Sequence, residues 1–149
     1  MDEMDLRILR ILQDESRLSI SQIGRRVGLS PSPCWKRINR MEKEGIIKGQ
    51  TAILDAQRLG LGLIVFVSIK TGEHSSEWLK NFSKTVVEMP EVIEFYHMAG
   101  DVDYMLKVLV QDMSAFDNFC KRLIGNNVLS DVTSRFSMET IKETSSLPI

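Results

Sequence analysis

The stretch that most restricts what this chain can become is Leu29 to Gly45, LSPSPCWKRINRMEKEG. It reads as a short helix with a sharp start, a sharp stop and cations along one side. Cys34, Ile38 and Met41 are spaced four and three, which is one apolar stripe of an α-helix. A residue before proline is pushed out of the α region into the extended conformation that an N-cap needs. Ser30 and Ser32 both precede proline. Ser32 is the expected cap, with Pro33 at the first helical position, where the N–H that proline lacks has no partner to lose. Gly45 supplies the left-handed stop after the last turn. The other faces carry Trp35, Lys36, Arg37, Asn39 and Arg40, as expected of a recognition helix.

The residues upstream support that reading. Ser19 and Gln22 have capping-box spacing, and Leu18 and Ile23 stand where a hydrophobic staple needs them. A helix is expected from Ile20 to Val27, with Arg25 and Arg26 outward and Gly28 ending it. An earlier helix, Glu3 to Gln13, would bury Met4, Ile8, Leu9 and Leu12, with Asp2 and Asp5 favouring its positive end. Two short helices joined by a glycine-containing turn, the second one basic, form a helix-turn-helix.

The charge is uneven. Residues 1–62 hold 11 Lys+Arg against 8 Asp+Glu, a balance of +3, whereas residues 63–149 carry −4, within an overall −1. From Ser16 to Met41 there are six cations and no carboxylate. That window points to nucleic acid as the partner of the N-terminal half. Ser32, Trp35 and Lys36, near the start of the basic helix, would approach base edges, together with Pro33 and Asn39. Arg37 and Arg40 would reach bases or phosphates, and Arg25 and Arg26 suit the DNA backbone.

After Gly45 the period changes. Ile46 to Leu54 reads as a short strand broken by Gly49, a wing or connector. Asp55 to Gly62, with two glycines, is the expected hinge. The boundary is placed there, giving a DNA-binding domain over residues 1–62 and a second domain over residues 63–149. In the second half, strands are expected at Leu63 to Lys70, Val92 to Ala99, Tyr104 to Val110 and Asp131 to Met138. One helix, led in by His74 to Ser76, carries the stripe Trp78, Leu79, Phe82 and Val86. Another, capped by Ser114, carries Phe116, Phe119, Cys120 and Leu123, and a Gly125-Asn126-Asn127 turn follows it. The order β-α-β-β-α-β is a ferredoxin-like split unit, so the fold class is α+β. Helices cover one face of such a sheet; the other is wet or paired with a second copy.

The loop Gly100-Asp101-Val102-Asp103-Tyr104 holds a glycine that opens backbone N–H groups to an anion, carboxylates for an ammonium, and a tyrosine to close one side. Those requirements fit an α-amino acid; an acidic hairpin turn is the alternative. The chain does not read as an enzyme: His74 and His97 lack a nucleophile arrangement, and no phosphate loop, metal-ligand cluster or cofactor motif appears. Cys34 and Cys120 fall on apolar stripes and read as core. The hydrophobic fraction of 43% contains no run of membrane-spanning length, and charges interrupt the N-terminal apolar residues. A cytoplasmic location without membrane partners is expected.

Leu18 to Gly45, the segment IIKGQTAILD, the Gly-Asp-x-Asp-Tyr loop, Asp112-Met113-Ser114 and Val132-Thr133-Ser134 together resemble the Lrp/AsnC transcriptional regulators over essentially the whole chain. The resemblance implies a winged helix-turn-helix joined to an amino-acid-sensing domain, sheet-mediated dimers that assemble into octamers, and effectors bound between dimers. It assigns effector binding to Gly100, Asp101, Asp103 and Tyr104, completed by Thr133 and Ser134 of a neighbouring dimer. Pro33 to Arg37, His74 to Trp78 and the SSLPI ending resemble the branch that activates cysteine detoxification. Cysteine is therefore the first effector expected, with leucine or methionine next. Two rival readings stand beside it. One is an amino-acid-binding enzyme-regulatory domain with a helical protein-interaction module; the other is a nonspecific chromatin-like DNA packager.

Overall fold

The computed structural model describes every residue except His74 and residues 126–128. The lead-in at His74 and the turn expected over residues 125–127 therefore fall wholly or partly outside the described residues. The chain divides into two compact units, Met1–Ile53 with Lys142–Ile149, and Leu54–Ile141. No helix among the described residues is long and apolar enough to cross a membrane.

The first unit contains α1 (Glu3–Asp14), α2 (Ile20–Val27) and α3 (Pro31–Lys43). Both of the first two helices open with reciprocal capping boxes, Asp2 with Asp5 and Ser19 with Gln22, which satisfy N–H groups the helix itself cannot. Gly28 ends α2 in the left-handed region at φ 78°. Ile8, Leu9, Ile23, Val27, Cys34, Ile38 and Met41 form the core where the three helices meet. The turn between α2 and α3 depends on Gly24, because a Cβ there would stand 2.6 Å from the Leu29 carbonyl oxygen.

The start of α3 differs from the sequence expectation. Ser30, not Ser32, is the N-cap, with Pro31 at the first helical position. Since none of the first four N–H groups has an intrahelical acceptor, Pro33 also fits inside the first turn and both prolines are accommodated. The far end is as expected: Gly45 has φ 72°, its N–H reaches the Glu42 carbonyl (3.0 Å), and the Ile46 N–H reaches Met41 (2.9 Å). These two bonds make a Schellman stop.

The strand expected over Ile46 to Leu54 does not form. Ile46 and Ile47 both donate to the Met41 carbonyl, Ile47 packs on the helical core, and no ladder partner lies alongside among the described residues. A strand needs a neighbour to accept and donate, and the apolar pattern alone does not provide one. Nor is the glycine-bearing segment after it slack. Asp55 Oδ1 accepts from Arg58 N–H, and Gly60 and Leu61 close the turn on Gln57 and Ala56. The tail lies along α1: Gln13 accepts from the Leu147 N–H (2.6 Å) and donates to its carbonyl (3.3 Å), while Arg10 Nε donates to the Ile149 carbonyl (2.9 Å).

The second unit contains β1 (Leu63–Lys70), α4 (Ser76–Val87), β2 (Val92–His97), β3 (Tyr104–Val110), α5 (Met113–Gly125) and β4 (Asp131–Phe136). The antiparallel sheet has the order β2-β3-β1-β4, the ferredoxin-like arrangement, so with the helical first unit the class is α+β. β2 and β4 each end two residues short of their expected limits. Asp112 rather than Ser114 caps α5, accepting from the Ala115 N–H (2.8 Å). Val65, Val67, Ile69, Leu106 and Val108 face the helices and meet Phe82, Val86, Phe119 and Leu123. The opposite face carries Phe66, Ser68, Glu94, Tyr96, Lys107 and Arg135, tied in part by Lys107–Glu94 (3.2 Å) and Arg135–Ser68 (2.7 Å).

The close approach at Gly24 is directly testable. Gly24→Ala should force the Leu29 backbone away and lower unfolding free energy by about 1–3 kcal/mol, measured by urea denaturation of the full chain.

Candidate nucleic-acid interface and effector loop

The basic helix α3 presents three sides. Ser32, Lys36, Asn39 and Lys43 stand opposite its buried stripe, Trp35 lies on one flank, and Arg37 and Arg40 lie on the other. Ser32, Pro33, Trp35 and Lys36 are exposed, Trp35 at 52%, and Asn39 is half-buried. Lys43 was not picked out from the sequence. The signal was there, since 32, 36, 39 and 43 repeat the four-three-four spacing of one face.

The arginines are more committed than the sequence suggested. Arg26 forks onto Glu15 from α2. Arg37 Nη1 contacts Asp2 (2.8 Å) and Asp5 (2.7 Å), and Arg40 Nη2 contacts Asp5 (2.6 Å). Asp5, expected only to favour the helix end, is completely buried. Burial opposes its ionisation. The Asp2 N–H, Arg37 and Arg40 outweigh that and hold its pKa down from 3.8 to about 2. Arg37 likewise keeps Asp2 below the usual carboxylate range. Asp5 shares the spacing of Ile8, Leu9 and Leu12, so its place on the stripe was the sequence signal for a buried anion needing partners. Of the six cations between Ser16 and Met41, Arg17, Arg25 and Lys36 remain without an ion pair among the described residues.

The acidic loop links β2 to β3. Gly100 has φ 139°, in a region where other residues are strained, and with Asp101 it is exposed at the tip. Asp103 is half-buried: its Oδ2 accepts from the Thr71 N–H (2.8 Å), and its own N–H reaches the Ile69 carbonyl (2.9 Å). Tyr104 does not stand beside these groups as a lid. It is buried on the helix-covered face, its ring 5.2 Å from Phe82 and 5.1 Å from His97. The reason is strand parity, because Tyr104 shares a face with Leu106, Val108 and Val110. Thr133 and Ser134 likewise point to opposite faces of β4, opposite Ser68 and Val67. Cys34 lies in the helical core, where burial pushes its thiol pKa up.

Known proteins match this layout. Residues 1–48 fit the winged helix-turn-helix DNA-binding family model, and residues 64–147 fit the Lrp/AsnC ligand binding domain. The chain is 50% identical over 151 residues to the DNA-binding transcriptional activator DecR of Escherichia coli (strain K12), covering 100% of this chain and 99% of DecR. The crystal structure of an AsnC family transcriptional regulator from Agrobacterium tumefaciens is 51% identical with a TM-score of 0.96, covering 99% and 97% of the two chains. A transcriptional regulator from Neisseria meningitidis in complex with L-Met is 34% identical with a TM-score of 0.94, covering 99% and 96%. Fold and matches together define a DNA-binding transcriptional regulator with an amino-acid effector-binding domain, not an enzyme. The chain belongs to the Lrp/AsnC family.

The Asp5 cluster gives the DNA-binding unit an acid limb. A carboxylate whose folded pKa lies below its ordinary value stabilises the fold fully above that ordinary value and loses the contribution as pH falls through the folded one. The stability advantage of the wild type over Asp5→Asn should therefore be complete above about pH 4 and shrink toward about pH 2, read from urea unfolding at each pH.

Proposed function

We propose that α3 enters the major groove of double-stranded DNA. Ser32, Pro33, Trp35, Lys36 and Asn39 would face base edges, with Arg25 on the phosphate backbone. The observation that carries this is the exposed, carboxylate-free face of α3 held by a capped and glycine-terminated helix-turn-helix. Arg26, Arg37 and Arg40, also nominated by the sequence, start from ion pairs rather than free. We assign DNA contact to residues 1–62 and effector binding and assembly to residues 63–149, in a cytoplasmic regulator. The open sheet face suits pairing with a second copy, and octamers of such dimers are the expected assembly.

The effector site we propose is the loop of Gly100, Asp101 and Asp103, with Tyr104 as the buried floor behind it. Thr133 of a neighbouring dimer, on the open sheet face beside Ser68, would complete it, while Ser134 lies on the other face of its strand. Cysteine is the first candidate, on the resemblance of Pro33 to Arg37 and of the SSLPI ending to the cysteine-detoxification branch. Methionine is next, supported by the L-Met complex of the Neisseria relative, along with leucine, supported by 36% identity to leucine-responsive regulatory proteins.

A duplex selected from a randomised library supplies the DNA test. Lys36→Ala should weaken binding and reduce the slope of log affinity against log salt by about 0.9 per recognition helix. No change in affinity or slope would remove α3 from the interface. For the effector, a thermal-shift screen of the amino acids should single out one that raises the Tm by mass action. Asp103→Asn keeps an oxygen for the Thr71 N–H but removes the charge, so it should abolish that shift while leaving the unliganded Tm nearly unchanged. An intact shift would exclude the loop.

A further inference from the structure

Asp5 belongs to α1, outside the helix-turn-helix proper, yet it sets the charge the recognition helix shows. Its carboxylate is completely buried and takes Asp2 N–H, Arg37 Nη1 and Arg40 Nη2 at 2.9, 2.7 and 2.6 Å. Asp2 adds a second carboxylate on Arg37 at 2.8 Å. An anion removed from water holds its partners more firmly than a surface pair does, because solvent does not compete for the anion itself. Arg37 and Arg40 share one flank of α3, so both are drawn the same way, toward α1. What faces away from the core is then Ser32, Lys36, Asn39 and Lys43, with Trp35 at the far flank.

We propose that Asp5 is a positioning residue of the DNA interface. It withholds Arg37 and Arg40 from phosphates and fixes the roll of α3, so that sequence is read by the Ser32, Trp35, Lys36 and Asn39 side. This rests on the reading of α3 as the recognition helix. Its consequence runs against a simple count of cations: the helix carries four basic residues, Lys36, Arg37, Arg40 and Lys43, and shows DNA two of them. A recognition helix with fewer free charges gives up sequence-independent affinity and keeps sequence discrimination, since phosphate contacts position without specifying.

The test uses the full-length chain on two duplexes, the tightest one selected from a randomised library and a shuffled duplex of the same composition. Affinity is followed across a salt series. Arg40→Gln should leave the salt slope at the wild-type value, because that charge is already spent, and should reduce selected-to-shuffled discrimination by about 3- to 10-fold. Asp5→Asn should release chiefly Arg40, whose other carboxylate, Glu44, stands at 3.9 Å, while Asp2 still holds Arg37. The slope of this variant should steepen by about 0.9 for each phosphate gained, and binding to the shuffled duplex should strengthen about 10-fold while discrimination falls. A slope shallower by about 0.9 in Arg40→Gln, with both affinities falling in parallel, would make Arg40 a phosphate contact and overturn the proposal. Unchanged discrimination in Arg40→Gln would overturn it too. So would Asp5→Asn weakening both duplexes equally at constant slope, the signature of a purely structural role. If Asp5→Asn does not fold, Arg40→Gln decides alone, because Arg40 is half-exposed and Asp5 keeps Arg37. A wild type that fails to discriminate the duplexes refutes sequence-specific binding itself, a different failure from that of Asp5.

Discussion

The DNA-binding unit is built around one carboxylate taken out of water. Asp5 lies on the apolar stripe of α1, where an unpartnered ion would cost more than the small helical core could offset. Two guanidinium groups from α3 and a backbone N–H from the chain start make the position tenable. The cluster adds what apolar contact lacks, which is direction. Ile8, Ile38 and Met41 bury one side of α3, but hydrophobic burial by itself is non-directional. The bonds from Arg37 and Arg40 to one fixed carboxylate are directional. The orientation of α3 is thus fixed by hydrogen-bond geometry as well as by packing.

Most of the fold was legible because its signals are local. The Ser19–Gln22 box, Gly28 and Gly45 are each read from a few neighbouring residues, and each behaves as those residues require. β1 and β3 have their expected limits for the same reason, a run of branched residues closed by charge or glycine. The departures have a common cause in competition between equivalent local options. Ser30 and Ser32 both precede proline, and Asp112 and Ser114 both open an apolar stripe. Only the packing of the finished helix selects between them. Ile46 to Leu54 failed differently. Its residues favour extension, but a strand is a property of two segments and this one has no neighbour among the described residues.

The site was legible in kind and less so in detail. The carboxylate-free window located the basic helix correctly, but net charge does not say which cations are free. Glu15, Asp2 and Asp5 lie outside that window in sequence and against it in space. The acidic loop between β2 and β3 shows a similar gap. Its composition suggested three groups converging on one ligand, whereas strand alternation sends Tyr104 into the helix-covered core and leaves Gly100 and Asp101 at the tip. Parity was readable from Tyr104, Leu106, Val108 and Val110, and it outranks composition wherever a residue enters a strand.

The covalent layout joins the two units at one place in the sheet. β1 and β4 are antiparallel neighbours, and Val65 pairs with Phe136, so the start of β1 and the end of β4 lie side by side. The chain passes from the DNA-binding unit into β1 through the capped turn at Asp55 to Leu61, and it returns from β4 to lie along α1 through Gln13 and Arg10. Both covalent routes therefore leave from one end of one strand pair. Coupling between two sites requires an element whose arrangement both sites bias. The returning tail holds α1 through Arg10 and Gln13, and Asp5 of the same helix holds Arg37 and Arg40 of α3, so one helix carries both the contacts of the chain that follows β4 and those of the basic helix.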